Sequence, residues 1–243
     1  MELSGNIIYL GQSCISGVSE EFGAKLHHHP LLEIYVSWDG DSHLYTESDT
    51  RSGPVFVIAP GTVHAIADTG KRGIAVFLDP LSEKGYSLSQ TVLEGQPLRT
   101  LEQEEWTGGL RSLRDEVSED SVRTLTERIV SDLCSRQVER PFADTVMRVI
   151  ELLNAEDCVF DMDDLAGHVF LSKSRIAHLF SEQTGITLKE YIQYKRLENA
   201  CRRMVAGAKI TDAAYDTGFA GSSHIASSSM KMTGMQLKKM LNL

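Results

Sequence analysis

DMDDLAGHVFLSKSRIAHLFSEQTG, residues Asp161–Gly185, reads as two short helices joined by a tight turn. Asp161 is a strong N-cap residue, and Asp163 and Asp164 fall in the first turn, where the helix dipole favours acidic groups. Leu165 beside the small Ala166 lets a second helix approach closely. Ser172 caps that second helix, Ile176, Leu179 and Phe180 form its buried face, and Gly185 ends it. Lys173, Ser174, Arg175, Ala177 and His178 are left on the open face, as a helix entering a DNA groove requires. ITDAAYDTGFAGSSHIASSSMKMTG, Ile210–Gly234, repeats the plan: Thr211 caps a short helix, Ala213-Ala214 packs closely, Phe219 plugs the turn after Gly218, and Ser222 opens a second reading helix.

Between the copies, Thr187 and Glu190 form a capping box ahead of a longer helix. Its apolar positions are Tyr191, Ile192, Tyr194, Leu197, Ala200, Cys201 and Met204, and Lys195, Arg196, Arg202 and Arg203 make one side basic. Three blocks carry a family resemblance: L-A-x4-L-S-x-S-R-I-x-x-L-F from Leu165, Y-I-x3-R-L-x2-A from Tyr191, and A-A-x3-G-F-x-x-S-S-H from Ala213. Their order and spacing resemble the AraC/XylS family of transcription regulators. That resemblance implies two helix-turn-helix units in successive major grooves of double-stranded DNA. Carried over by position, Ser174, Ala177 and His178 face bases, while Lys173 and Arg175 serve the phosphates; Ser172, and Lys195 and Arg196 of the connecting helix, are further DNA-binding candidates. The second unit offers Ser222, Ser223, Ser227 and His224. It departs from the family pattern in its serine-rich helix without the common Arg, and in a tail without the usual Pro and aromatic-Arg end.

The charge distribution agrees. The chain of 243 residues has a formal net charge of −10, but Met162–Leu243 holds 11 basic and 7 acidic residues, +4, which leaves −14 for the rest. An acidic front and a mildly basic back suggest two tasks, with the back facing phosphate. Four scattered cysteines without a CxxC pair fit isolated core thiols in a reducing compartment. No apolar run approaches the ~20 residues of a membrane span, and the Met1–Leu10 start does not read as a signal peptide, so the expected location is the cytoplasm.

The front half reads as short strands: LEIYVSW (Leu32–Trp38), SHLYT (Ser42–Thr46), PVFVIA (Pro54–Ala59) and GIAVFL (Gly73–Leu78), separated by turn clusters. HHHPLLEIYVSWDG contains H-x-H-x3-E-x6-G through His27, His29, Glu33 and Gly40, and A-P-G-T-V-H ends at His64. These pieces resemble the two cupin motifs, with Ala59 and Asp68 departing from the usual Pro and Asn. The resemblance implies a small barrel in which His27, His29, Glu33 and His64 bind one divalent ion: Zn, Ni, Fe, Mn or Cu. The alternative is that these histidines line a metal-free polar pocket. Tyr35, Trp38, Tyr45 and Phe56 line an apolar ligand pocket or belong to the core.

The expected fold class is therefore α+β. A cupin-like sensor barrel spans residues 1–90. A helical segment, 91–138, follows, and its stripe of Leu110, Leu113, Val117, Leu125, Ile129 and Leu133 packs on the barrel or forms a homodimer contact. A DNA-binding domain spans 139–243, with helix-turn-helix units at about 162–183 and 210–233. The functional expectation is a regulator, not an enzyme, under a small-molecule or metal effector. The competing class is a metal-dependent cupin enzyme with a vestigial DNA-binding domain.

Overall fold

A computed structural model describes residues 7–23, 26–38, 40–102, 106, 108, 117–155, 161–233 and 237–241. The chain forms two compact units, Met1–Glu139 with Thr233–Leu243, and Arg140–Met232. The first is built on antiparallel strands: β1 (Ile7–Leu10), β2 (Cys14–Gly23), β3 (Leu32–Ser37), β4 (Ser42–Thr46), β5 (Thr50–Gly53), β6 (Val55–Ile58), β7 (His64–Leu78) and β8 (Leu98–Leu101). The order is β1-β2-β7-β3-β6-β8, and β4 leaves this path by pairing with β5 and with the start of β7.

β3 lies at the centre, paired with β6 on one side and β7 on the other, and is buried throughout. A strand covered on both faces must be apolar on at least one, and alternation sorts the two. Leu32, Ile34, Val36 and Trp38 point into the main apolar core with Val55, Val57, Ile74, Val76 and Leu78. Glu33, Tyr35 and Ser37 point to the other face, inside the barrel, where the Tyr35 ring stacks on Phe56 at 6.4 Å and Ser42 Oγ donates to its hydroxyl at 3.5 Å. Gly73 is required there, since a Cβ would stand 2.6 Å from the Tyr35 oxygen.

The core is closed from outside by helices. After α1 (Glu83–Leu88), a π turn over Ser89–Leu93 leads to β8. Leu98–Leu101 is thus a strand, where helical spacing was expected: pairing with β6 outweighs the local pattern. Helix α2 (Glu119–Leu133), opened by a Ser118–Ser121 capping box, buries Val122, Leu125, Ile129, Val130 and Leu133 against the sheet. Ser16 Oγ and Thr126 Oγ1, 2.7 Å apart, tie it to β2. The apolar stripe, so far as it is described, packs on its own barrel rather than being offered to a second copy; Leu110 and Leu113 lie outside the described residues. The described residues between 91 and 138 accordingly cluster with the barrel unit.

The second unit is all-helical: α3 (Asp144–Asn154), α4 (Met162–Val169), α5 (Lys173–Thr184), α6 (Leu188–Val205), α7 (Ile210–Asp216) and α8 (Ser222–Thr233). Helix α3 buries Val146, Val149, Ile150 and Leu153 along one face and starts at Asp144, directly after the N-cap Ala143. The last helix, α9 (Leu237–Leu241), packs on β1 and clusters with the first unit. No helix among the described residues is long and apolar enough to cross a membrane.

If α2 is part of the barrel core, Ile129→Ala will lower stability by about 3 kcal/mol in urea unfolding, while the exposed Arg128→Ala stays within about 0.5 kcal/mol. Equal small effects would contradict this packing.

Candidate nucleic-acid interface and metal centre

The first helix-turn-helix is α4–α5. Asp161 accepts from the backbone N–H of Asp163 and Asp164 at 2.7 and 3.0 Å, which holds its carboxyl below the usual range, and Asp164 reaches back to the Asp161 N–H. The turn is made by Phe170 in the left-handed region, φ 55°. Ser172 then caps α5 through the Arg175 N–H. Ile176 and Phe180 are buried, while Ser172, Lys173, Ser174, Arg175 and His178 are exposed and Ala177 half-buried. Lys173 also pairs with Asp163 at 2.5 Å and His178 lies 3.9 Å from Glu182. The predicted reading face is therefore presented as one surface.

The second unit is α7–α8. Helix α7 starts at Ile210 with Lys209 as N-cap, so Thr211 lies within the first turn and does not cap it. Ser222, Ser223, His224 and Ser227 are exposed, but two of them are already engaged. His224 Nδ1 accepts from the Ala220 N–H at 3.3 Å with its ring edge on Phe219, and the Ser227 hydroxyl donates to the His224 carbonyl at 2.9 Å. Ser228 and Ser229 face inward, so much of the serine richness belongs to packing. Ala226 and Met230 stand on the open face beside Ser223 and Ser227; neither was singled out, because polarity rather than helical position guided the sequence reading.

Helix α6 requires a correction. Lys195, expected to face DNA, is 5% exposed and bonds Glu198 Oε2 at 3.0 Å, with its ammonium over the rings of Tyr194 and Tyr191. Glu198 also accepts from Arg202 at 2.8 Å. A buried ammonium needs a charge partner, and this one has it inside the unit. Arg196 is half-buried and donates to the Gly218 carbonyl at 3.4 Å, so it too serves the fold. Burial, then the Glu198 charge, pushes the Cys201 thiol up to about 12, an inert core group.

In the barrel unit, His27, His29, Glu33 and His64 converge, each offering one donor atom, all within 4.8 Å of one another. Backbone bonds between His27 and His64, 2.9 and 3.0 Å, and from the Gly61 N–H to the His29 carbonyl, 2.8 Å, hold the loop over β7. Glu33 Oε2 sits 3.0 Å from His29 Nε2 and 2.9 Å from His64 Nε2. The other ring nitrogens face carbonyls: His29 Nδ1 lies 3.0 Å from Leu31 O and His64 Nδ1 2.9 Å from Thr62 O. A carbonyl only accepts, so each Nδ1 carries a proton. Each Nε2 is then either the second N–H of an imidazolium or a lone pair directed at the cluster centre. Burial pushes the Glu33 carboxyl up, but the hydrogen bonds from the two histidines outweigh it and hold it well below the carboxylate range. Burial likewise lowers His64, and contact with Glu33 more than reverses this. Carbonyl-oriented imidazoles with inward Nε2 atoms are the outer-shell arrangement of divalent metal sites, so the donor set fits such an ion.

The four aromatics assigned to one pocket separate. Tyr35 and Phe56 share the barrel interior, while Trp38 lies on the opposite face of β3 in the core under α2. Tyr45 is 41% exposed, because on β4 Ser42 and Leu44 point inward and His43 and Tyr45 outward.

The buried Lys195–Glu198 pair yields a prediction. Glu198→Ala will cost roughly 3–5 kcal/mol, because it strands the ammonium. Lys195→Met will cost less and will leave the salt dependence of DNA binding unchanged, whereas Arg175→Ala will reduce the salt slope by about 1. A slope change for Lys195→Met would return that residue to the phosphate.

Comparison with known proteins places these observations. Residues 165–242 match the model of the family described as "Helix-turn-helix domain". No curated protein matches the sequence. Solved structures of ToxT from Vibrio cholerae share the fold. One at 13% identity covers 95% of this chain and 98% of that one with a TM-score of 0.55, and an apo variant at 14% covers 96% and 98% with 0.57. A third, described as unsaturated fatty acid bound, is 15% identical, covers 96% of each chain and has a TM-score of 0.54. Residues 165–242 therefore carry a helix-turn-helix domain of this family, and the chain shares the fold of the ToxT structures, with an antiparallel β unit preceding a helical one.

Proposed function

We propose that this protein is a sequence-specific transcription regulator whose DNA affinity is set by an effector bound in the β unit. The observation that carries the reading is the presentation, on one helical unit, of two exposed reading faces, Ser174–Arg175–His178 on α5 and Ser223–Ala226–Ser227 on α8. Residues Ser172, Lys173 and Arg175 supply the phosphate contacts, and Ser174, Ala177 and His178 the base contacts of the first unit. On the second, the side chains offered are short, so it contributes position more than discrimination.

The effector site has two parts. His27, His29, Glu33 and His64 would hold a divalent ion, which supplies a fixed positive charge able to take an anionic group of a ligand. Tyr35 and Phe56, with the Ser42 hydroxyl near the Tyr35 oxygen, line the interior on the same side of β3 as Glu33. The fatty acid named for the ToxT structure suggests an organic acid as a second effector class here. An effector can shift the DNA-bound population only by its difference in affinity between two states.

The experiment is selection of genomic fragments by the purified protein at low salt, with elemental analysis of the same preparation. The expected results are a preferred site whose affinity falls steeply with salt, and one divalent ion per chain that His64→Ala removes. Absence of any preferred site would overturn the regulator, and substrate turnover at a bound redox metal would favour a cupin enzyme.

A further inference from the structure

Helix α6 carries a polar face toward the second helix-turn-helix that an ordinary helix contact would not need. Gln193 Nε2 donates to Ser228 Oγ on α8 at 2.9 Å, and Ser228 is only 7% exposed. Arg196 donates to the Gly218 carbonyl at the end of α7, and Arg203 pairs with Asp216 at 3.3 Å. Positions 193, 196 and 203, with the buried Ala200, fall within about 80° of the helical wheel. The opposite side of α6 holds Tyr191, against Phe180 at 5.5 Å, and the Lys195–Glu198–Arg202 cluster. One side of the helix therefore serves the first unit and the other the second.

An apolar pair at 193 and 228 would bury more hydrophobic surface than Gln and Ser do. A half-buried polar contact instead rewards one arrangement, since sliding or turning the helix leaves a donor and an acceptor less well satisfied. We infer that Gln193, through Ser228, is a positioning residue that fixes the rotation of the second recognition helix relative to the first, and so sets the half-site spacing the protein accepts. This rests on the DNA-binding reading above. Gln193 touches no base. It acts at the inner face of α8, opposite Ser223 and Ala226, so a change in its contact turns the outer face. One inserted base pair rotates one half-site by roughly 35° about the DNA axis, which a rigid pair of helices cannot follow. The inward Ser228 hydroxyl thus has its role in the contact with α6 rather than in reading.

The test uses the full-length protein and its own selected site, with one base pair inserted or removed between the half-sites. For the natural chain the altered spacing will weaken binding at least about tenfold. In Gln193→Leu that penalty will shrink to about threefold or less, while affinity for the natural spacing falls only a few-fold. Gln193→Glu, which can accept from the Ser228 hydroxyl, will restore the penalty. Gln193→Leu with Ser228→Ala repacks the contact without an orphaned hydroxyl and will retain the relaxed spacing. A spacing penalty unchanged in both Leu variants would overturn the inference and leave the regulator standing. A relaxed penalty that Gln193→Glu does not restore would also overturn it, because loss of packing alone would then suffice. If no fragment is selected at all, the DNA-binding reading fails and this inference with it.

Discussion

The register of β3 is the constraint on which the β unit depends. Its even positions fill the core that α2 closes, and its odd positions line the interior with Glu33 and Tyr35. A slip of one residue would drive Glu33 into the apolar core and Leu32 against the histidines, so the pairing is strongly specified. Neighbours enforce it from both sides: Glu33 stands opposite Phe77 and Ile58, and Gly73 yields its side-chain space to Tyr35. The same alternation therefore builds the hydrophobic core and delivers the carboxylate to His29 and His64.

The helical unit has a different organising element, the connecting helix. Its aromatic and charged side joins the first helix-turn-helix, and its Gln and Arg side joins the second. Its sequence makes one side of this helix look basic and Lys195 and Arg196 look like DNA contacts. Both charges are consumed inside the unit, Lys195 by Glu198 and Arg196 by the Gly218 carbonyl. The exposed charge nearest the reading faces is then Lys173 and Arg175 on α5 and Lys231 on α8. That is a modest set, consistent with the small positive charge of this region.

Much of this was legible in the residues. Caps, turn glycines and helical spacing placed α4, α5 and α6, and the resemblance to the two cupin motifs brought together His27, His29, Glu33 and the distant His64. What was not legible depended on long-range packing. Leu98–Leu101 resembles a helix until β6 offers it a partner. Trp38 and Tyr45 look like pocket residues until the strand faces are known. The serine richness of α8 looks like a property of its open face until Ser228 and Ser229 are seen to point inward. Basic residues on a helix announce phosphate only when no buried carboxylate waits for them.

If occupancy of the β unit sets the affinity of the helical unit for DNA, the dissociation constant for the selected site will differ between metal-loaded protein and the same protein after chelation, at fixed salt. The expected shift is roughly fivefold or more, with the preferred sequence unchanged. Identical constants for loaded and stripped protein, with the ion shown to be bound in one and absent from the other, would contradict it.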